Sequence, residues 1–367
     1  MSCDLFSLAS PGVSGLKPYC PGKSIEELQR EFNLDDIIKL ASNENPLGPS
    51  QNVLDAIIAT KDISRYPDGN GFYLKKKLAE KHSVDIENIT LGNGSNDILE
   101  MVTRTFVTDQ HEVIYSKHSF AVYSLVTQAV GAQHVVTPVN NWNHDLVAML
   151  NSINDSTRLI FIANPNNPTG TWIDKNNLRS LLEQIPSHVI VLIDEAYFEY
   201  ANTEEKYPDC SLWIKDFSNL IVTRTFSKAY GLAALRIGYS LSHPDISNLL
   251  NRVRQPFNNN SLALVAADAA LRDLEHIKNS VQLNQLGMQK LTQAFDNMGL
   301  EYIPSKGNFV CVNFEKPAIE IYQNLLKSGV IVRPIFDYDM PNHLRITIGL
   351  ERENTKFIKE LEKIMAK

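Results

Sequence analysis

The feature that most constrains the fold is an alternation of short apolar runs and helical segments between about residues 50 and 240. The apolar runs are EVIY, RLIFIA, VIVLI and NLIVT, and amphipathic stretches such as LKKKLAEKHS and DILEMVTRTFV lie among them. Short buried strands that alternate with helices are typical of a mostly parallel sheet covered on both faces. The pattern therefore predicts an α/β architecture for this part of the chain.

The segments on either side predict a second, smaller domain. An irregular arm, LASPGVSGLKPYCPGKS, precedes a helix that Ser24 and Glu27 open as a capping box. Long amphipathic stretches follow residue 243, and then come NFVCVNF, VIVRP, LRITIG and a closing helix. We expect an arm that joins the small domain over residues 1–45, a large domain over 46–255 and a small α+β domain over 256–367.

The composition and charge of the chain indicate which classes of binding partner and which cellular location to expect. The formal net charge of -7 and the lack of a long single-sign block argue against nucleic-acid binding and favour small molecules. Neither a secretory signal nor an apolar stretch of roughly 18 residues is present, so we expect a cytoplasmic protein that does not bind membranes. The cysteines are far apart, which predicts reduced thiols and no metal site; they are Cys3, Cys20, Cys210 and Cys311.

Unusual polar residues fall where several predicted strands end. Gly92-Asn93-Gly94-Ser95-Asn96 follows one strand, and three further strands run into the segments 164–170, 194–197 and 224–228. Ligands of an open parallel sheet bind in the crevice beyond the carboxyl ends of its strands. We therefore expect these four segments to meet at one ligand.

Two of the four segments favour an anion or a polar ligand. The glycines of GNGSND lead into a helix N-terminus, where free backbone N–H groups can bind a phosphate, although they could also serve only a tight turn. In NPNNPTG two prolines fix the backbone so that Asn167 can present its amide. A purely structural turn remains the alternative for that segment.

The other two segments carry ionisable groups. Asp194 ends an apolar strand, where a carboxylate needs a cation such as a pyridinium nitrogen, although it could instead cap the next helix. Lys228 stands among small and apolar residues, close in sequence to Thr225, Ser227 and Arg236. A single lysine is usually a surface residue, but these neighbours could bind a phosphate while the amine forms a Schiff base.

Six motifs together resemble a known family. NENPLG, RYPDG, GNGS, NPNNPTG, DEAY and SKAYGLAALRIGY, in this order, are similar to the motif series of the fold-type I aminotransferases, which use pyridoxal 5′-phosphate. Within that class, KPYCPG, ASNENPLGPS, RYPDG, VIVRP and LRITIG most closely resemble the histidinol-phosphate aminotransferases. The LAALR spelling, in which a glycine often takes the middle position, and LERENTKF depart slightly from the subfamily pattern.

The resemblance implies roles for the cofactor-binding residues. Lys228 would form the Schiff base and move the substrate proton, and Asp194 would keep the pyridine nitrogen protonated. Asn167 and Tyr197 would hydrogen-bond the ring oxygen, and Tyr123 would stack on the ring unless it only packs in the core. The phosphate would contact Ser95, Asn96, Thr225, Ser227 and Arg236.

The resemblance also implies a substrate and an assembly. Histidinol phosphate would give its amino group to 2-oxoglutarate, which yields imidazole acetol phosphate and glutamate in histidine biosynthesis. Arg345 and Arg333 would bind the substrate anion with Tyr19, although Arg333 could be a surface ion pair. Asn43 would contact the substrate or make a turn. Tyr66 would reach the cofactor and substrate of the neighbouring subunit in a homodimer.

Several other functions remain open from the sequence. Threonine-phosphate decarboxylases and aromatic amino acid aminotransferases share this architecture. A cofactor sensor fused to a DNA-binding module would need a segment that this chain lacks, and a nicotinamide enzyme would need a GxGxxG turn that GNGSND does not supply.

Overall fold

The computed structural model describes residues 5–19 and 22–366. A large sheet has the strand order β2-β10-β9-β8-β7-β3-β4, in which β10 alone runs opposite to its neighbours. Its strands are β2 (Ile89–Gly92), β3 (Glu112–Ser116), β4 (Gln133–Thr137), β7 (Thr157–Ala163), β8 (Ile190–Asp194), β9 (Leu220–Thr225) and β10 (Gly238–Ser242). The expected mostly parallel sheet is confirmed.

A smaller sheet has the order β1-β13-β14-β12-β11, with β1 parallel to β13 and the other pairs antiparallel. Its strands are β1 (Ile38–Leu40), β11 (Tyr302–Ile303), β12 (Phe309–Asn313), β13 (Val330–Pro334) and β14 (His343–Thr347). A separate hairpin consists of β5 (Val139–Asn140) and β6 (Asn143–His144). The N-terminal segment thus contributes an edge strand to the small domain.

Fifteen α-helices lie within the described residues. They are α1 (Leu5–Leu8), α2 (Pro11–Ser14), α3 (Ile25–Phe32), α4 (Gln51–Ala59), α5 (Phe72–His82), α6 (Ser95–Phe106), α7 (Ala121–Ala129), α8 (Leu146–Asn151), α9 (Lys175–Leu182), α10 (Phe198–Ala201), α11 (Pro244–Val253), α12 (Ser261–Ala270), α13 (Leu274–Asn297), α14 (Ile319–Lys327) and α15 (Glu351–Met365). The Ser24 hydroxyl accepts from the Glu27 amide at 3.1 Å, so α3 begins where the capping box predicts. None of the described helices is long and apolar enough to cross a bilayer.

Both faces of the large sheet are buried, which explains its unbroken apolar strands. Along β7, Ile160 and Ile162 belong to one core, whereas Leu159 and Phe161 belong to the core on the other face. Successive side chains of a strand point to opposite faces. A strand that serves two cores is therefore apolar at successive positions, as β7 is from residue 159 to residue 163.

The transition between the domains lies later than residue 256. Helix α12 packs through Ala263 and Ala267 into the core of the large sheet. The long helix α13 leaves that core, and its Leu291 and Phe295 belong to the core of the small domain. Residues 256–270, which the sequence analysis places in the small domain, therefore lie with the large one because the alanine face of α12 packs closely there.

The sequence analysis predicts that all four cysteines are reduced thiols. Cys210 and Cys311 are buried free thiols. Cys3 and Cys20 lie outside the described residues.

A buried ion pair joins the strands that end at the crevice. Arg224 on β9 donates Nε and Nη2 to Glu195 Oε2 at 2.9 and 2.8 Å, and Nη2 also donates to Asp209. The Arg224 guanidinium lies 3.3 Å from the centre of the Phe198 ring. Arg224 and Glu195 are 2% and 0% exposed, so neither charge can turn to water if its counterpart is removed.

We predict that Glu195→Ala lowers the apparent free energy of unfolding by about 3–5 kcal/mol, because it leaves a guanidinium buried without its main counterion. Urea denaturation measures the change. Glu100→Ala, which removes an exposed pair with Arg104 at 3.7 Å, is the control and should cost less than about 0.5 kcal/mol. A Glu195→Ala loss as small as that of the control would contradict the structural role of the pair.

Candidate active site

A cavity of about 190 Å³ lies between the two sheets, at the carboxyl ends of β7, β8 and β9. The large domain and its loops contribute Ser95, Asn96, Phe120, Tyr123, Ala163, Pro165, Asn167, Asp194, Ala196, Tyr197, Thr225, Ser227, Lys228 and Arg236. The arm and the small domain contribute Tyr19, Gly22, Ala41, Ser42, Asn43, Arg333, Tyr338 and Arg345. The four strand-end segments thus meet at one place, together with both predicted arginines.

Asp194 lies at the centre of the strand ends. It aligns with Ala163 of β7 on one side and with Thr223 of β9 on the other. Tyr123 donates its hydroxyl to Asp194 Oδ2 at 3.0 Å, and Thr223 donates to Oδ1 at 3.2 Å. Burial raises the pKa of Asp194, and these hydrogen bonds oppose the rise. A cation placed in the cavity beside this carboxylate would be strongly favoured.

Lys228 follows β9 and faces the same cavity. Its Nζ donates to the Ser42 carbonyl at 3.1 Å and lies 5.7 Å from the centre of the Tyr197 ring. Burial, and after it the positive charge of Arg345, lowers the pKa of Lys228 to about 8. At pH 7 about a tenth of the amine is therefore neutral, far more than for an ordinary lysine, and the neutral form is the nucleophile.

The turn before α6 and the loop after β9 form a cradle for an anion. Gly94 has a φ of 79°, and a Cβ at this position would lie 2.5 Å from Arg236 Nη2. Arg236 Nη1 donates to Ser227 Oγ at 3.3 Å, and the Ser227 amide donates to Thr225 Oγ1 at 3.1 Å. Ser95 is the first residue of α6, so its amide is among the free N–H groups of the helix N-terminus. A dianionic phosphate is the ligand that suits this set of donors.

Two hydrogen-bonded pairs, Asn43 with Tyr197 and Arg345 with Asn167, line the cavity and leave donors free for a ligand. Asn43 Nδ2 donates to the Tyr197 hydroxyl at 2.9 Å, which leaves the hydroxyl proton available to a ligand. Burial raises the pKa of Tyr197 to about 12, so it keeps that proton. Arg345 donates Nη1 to Asn167 Oδ1 and Nη2 to the Ala41 carbonyl at 2.7 Å. The Asn167 oxygen is thereby occupied, and its Nδ2 can donate to a ligand.

The two arginines lie side by side on the small sheet. Arg333 of β13 and Arg345 of β14 are direct antiparallel neighbours, and they are 7% and 6% exposed. The Tyr19 ring lies 5.7 Å from the Arg333 guanidinium carbon, and Tyr19 itself is half-exposed. Within the described part of the chain, the buried Nε of Arg345 has no hydrogen-bond partner. Paired guanidinium groups suit an anion, so this wall of the cavity has the chemistry to bind one.

Of Tyr66 and Tyr123, which are both predicted to contact the cofactor, Tyr123 lines the cavity and Tyr66 does not. Tyr66 lies away from the cavity of its own chain, is 80% exposed and stacks on Phe257 with ring centres 4.5 Å apart. Tyr123 stacks on Phe161 with ring centres 4.6 Å apart and directs its hydroxyl to Asp194. The Tyr123 side chain is wholly buried in the core of the large sheet, as the core-packing alternative expects, and its stacking on a ligand ring stays a prediction.

Some site residues escaped the sequence analysis. Phe120 and Tyr338 line the cavity, and Thr223 binds Asp194. Thr223 lies two residues before Thr225, so the two-residue period of a strand could have identified it. Asn45 donates to the carbonyl of Ala229, next to Lys228, at 2.8 Å, and its place in NENPLG was a usable signal. No local pattern distinguishes Tyr338.

These groups fit a planar, phosphorylated aldehyde such as pyridoxal 5′-phosphate. The cradle around Gly94 and Arg236 suits the phosphate, and the low pKa of Lys228 suits an amine that condenses with an aldehyde. The buried Asp194 carboxylate suits a protonated ring nitrogen. Arg333 and Arg345 add two guanidinium groups that suit a second anionic group in the same cavity.

Comparisons with known proteins agree with this geometry. The family model for aminotransferase class I and II matches residues 35–361. Histidinol-phosphate aminotransferase 2 of Pseudomonas fluorescens is 56% identical over the full length of both chains. Histidinol-phosphate aminotransferase 1 of Idiomarina loihiensis is 53% identical, with 97% of each chain covered.

A solved structure of a histidinol-phosphate aminotransferase is also similar to this chain. Histidinol-phosphate aminotransferase from Sinorhizobium meliloti, in complex with pyridoxal-5′-phosphate, superposes with a TM-score of 0.89 at 28% identity. The match covers 100% of this chain and 99% of that one. The chain therefore belongs to the class I and II aminotransferase family.

Proposed function

We propose that this protein is a pyridoxal-phosphate-dependent aminotransferase that moves the amino group of L-histidinol phosphate to 2-oxoglutarate, a step of histidine biosynthesis. The products are imidazole acetol phosphate and glutamate. The observation that carries the proposal is the buried pair Arg333 and Arg345 facing Lys228 across one cavity. Full-length relatives with more than half of their residues identical carry the corresponding name.

Lys228 has two tasks in this reaction. When bound, the cofactor supplies an aldehyde that joins the substrate amine and a ring that accepts the electron pair of the deprotonated α-carbon. Lys228 would hold the cofactor covalently, and its Nζ, once the substrate amine has replaced it, would take the proton from the substrate α-carbon. A pKa near 8 is suited to both tasks because the amine can gain and lose a proton near neutral pH.

Three other side chains act on the ring. The Asp194 carboxylate would hold a proton on the ring nitrogen, which is the cation that this buried group needs. Tyr197 and Asn167 would donate to the ring oxygen, because Asn43 and Arg345 already occupy their acceptor atoms. These three side chains would thereby hold the ring in place.

Substrate binding uses the small domain. The guanidinium groups of Arg333 and Arg345 pair with the phosphate of histidinol phosphate or with a carboxylate of 2-oxoglutarate, since a guanidinium can donate two hydrogen bonds to two oxygens of either group. Tyr19, beside Arg333, closes the site from the arm. The two substrates of a transaminase occupy the same cavity one after the other. The same anion site therefore serves both of them.

The assembly that we propose is a homodimer in which Tyr66 completes the neighbouring site. The exposed position of Tyr66 supports this, as do apolar side chains exposed around it: Leu54, Ile58, Ile63 and Tyr73. Large exposed apolar patches mark interaction sites. We also propose a cytoplasmic location, which the buried free thiols of Cys210 and Cys311 support.

The low pKa of Lys228 predicts how cofactor-free protein captures the cofactor. The neutral amine is the reactive form, so the capture rate should rise with pH and level off above about 8, whereas an ordinary lysine would continue to gain up to about 10.5. Borohydride reduction and mass spectrometry at timed intervals measure the covalent product. Lys228→Ala should show none, and a capture rate that still rises steeply between pH 9 and 10 would contradict the assigned pKa.

Arg345→Ala should raise the KM for histidinol phosphate by roughly 10- to 100-fold, because a charge-assisted hydrogen-bonded pair is lost. Arg345→Lys should recover only part of this, since an ammonium keeps the charge without the two-pronged geometry. Cofactor affinity should fall by a smaller factor than substrate affinity, since Arg345 acts on the cofactor site through Asn167 and through its charge near Lys228. The control is Arg179→Ala, which alters a surface ion pair; an Arg345→Ala variant with an unchanged KM would place the anion site elsewhere.

A further inference from the structure

The segment between α11 and α12 contacts the cofactor cradle and has no role in the chemistry described so far. We name residues 254–260, RQPFNNN, the asparagine brace. It contains three consecutive asparagines, and it borders both the turn before α6 and the loop that carries Tyr66.

Two asparagines of the brace fix the turn before α6. Asn259 Nδ2 donates to the Gly92 carbonyl at 2.7 Å, and the Gly94 amide donates to the same oxygen at 2.8 Å. Asn258 Nδ2 donates to Asp97 Oδ2 at 2.8 Å, and the Asn93 amide donates to that oxygen, also at 2.8 Å. At each end of the turn, one oxygen atom therefore accepts two hydrogen bonds, one from a backbone amide of the turn and one from an asparagine of the brace.

The third asparagine reaches the other wall of the cradle. Asn260 Nδ2 donates to the carbonyl of Leu235 at 3.2 Å, and Leu235 directly precedes Arg236. The Asn260 side-chain oxygen accepts from the Ala263 amide at 2.8 Å and caps α12. The three side chains thus hold both the helix turn and the arginine that form the phosphate cradle.

The same segment holds the loop that carries Tyr66. Arg254 donates Nη2 to the Gly69 carbonyl and Nη1 to Asn258 Oδ1, both at 2.9 Å. Phe257 stacks on Tyr66 at an interplanar angle of 20°, and its own φ is 57°, a conformation that residues other than glycine seldom adopt. The brace therefore connects the cradle of one site to the tyrosine proposed to serve the other.

We propose that Asn258 and Asn259 are positioning residues for the cofactor phosphate. By fixing both ends of the Gly92–Asp97 turn, they hold the free amides at the start of α6 where the phosphate can accept from them. Asn259 is 5% exposed, so water cannot readily replace its bond to the Gly92 carbonyl. This inference rests on the proposed function only in that the cofactor carries a phosphate bound at this cradle.

The test is equilibrium binding of pyridoxal 5′-phosphate and of pyridoxal, which lacks the phosphate, to the full-length protein. For Asn259→Ala we expect the affinity for pyridoxal 5′-phosphate to fall by about tenfold or more, while the affinity for pyridoxal changes by less than about threefold. The ratio of the two affinities therefore falls. A purely structural role would lower both affinities together.

Asn219→Ala is the matched control. Asn219 donates Nδ2 to the Val189 carbonyl at 2.7 Å, as Asn259 does to the Gly92 carbonyl. Asn219 lies at the end of the sheet away from the cavity. We expect its affinity ratio to equal that of the wild type. If Asn259→Ala does not fold, Asn258→Ala, at a half-buried position, gives the same test.

The outcomes separate the brace from the proposed function. A wild type that binds pyridoxal as tightly as pyridoxal 5′-phosphate would overturn the phosphate cradle itself. A wild type that prefers the phosphorylated form, with variants that keep the full preference, would overturn the brace alone. Loss of the preference in Asn259→Ala but not in Asn219→Ala is the result expected here.

Discussion

A carboxylate buried at the end of a strand loses its water, and Asp194 recovers part of that loss from the hydroxyls of Tyr123 and Thr223. The raised pKa shows that these hydrogen bonds do not offset burial in full. A ring nitrogen that carries a proton would supply the missing charge. We therefore expect cofactor binding to stabilise the protein, because it would supply the positive charge that the buried Asp194 lacks.

The two domains contribute different parts of the site. The large domain supplies Lys228, Asp194 and the phosphate cradle, whereas the small domain supplies Arg333 and Arg345. A substrate whose amine meets the cofactor and whose anion meets the arginines must contact both domains at once. The buried ion pair joins Arg224 of β9, the strand that leads to Lys228, to Glu195, which directly follows Asp194 at the end of β8, and it helps to hold these strand ends together.

Much of the site could be predicted because parallel strands bring their carboxyl ends together. Asp194, Asn167 and Lys228 each follow an apolar run, so their convergence needs no knowledge of loop shape. The pairing of Arg333 with Arg345 arises from antiparallel register, which the sequence does not fix.

Other features depend on contacts between segments distant in sequence. Tyr338 enters the cavity from a turn after β13, and the asparagine brace reaches the cradle across more than 150 residues of chain. The domain transition was misplaced for a related reason, since alanines such as Ala263 and Ala267 carry little apolar signal yet allow α12 to pack closely on the large domain.

The most direct test of the central claim is a single half-reaction. Cofactor-loaded protein is mixed with histidinol phosphate in the absence of any keto acid, and imidazole acetol phosphate is quantified by mass spectrometry. We predict one product molecule for each Lys228 site and continuous turnover once 2-oxoglutarate is added. Bound cofactor with no product from histidinol phosphate, together with carbon dioxide release from a phosphorylated amino acid, would contradict the proposed function and identify a decarboxylase of the same fold.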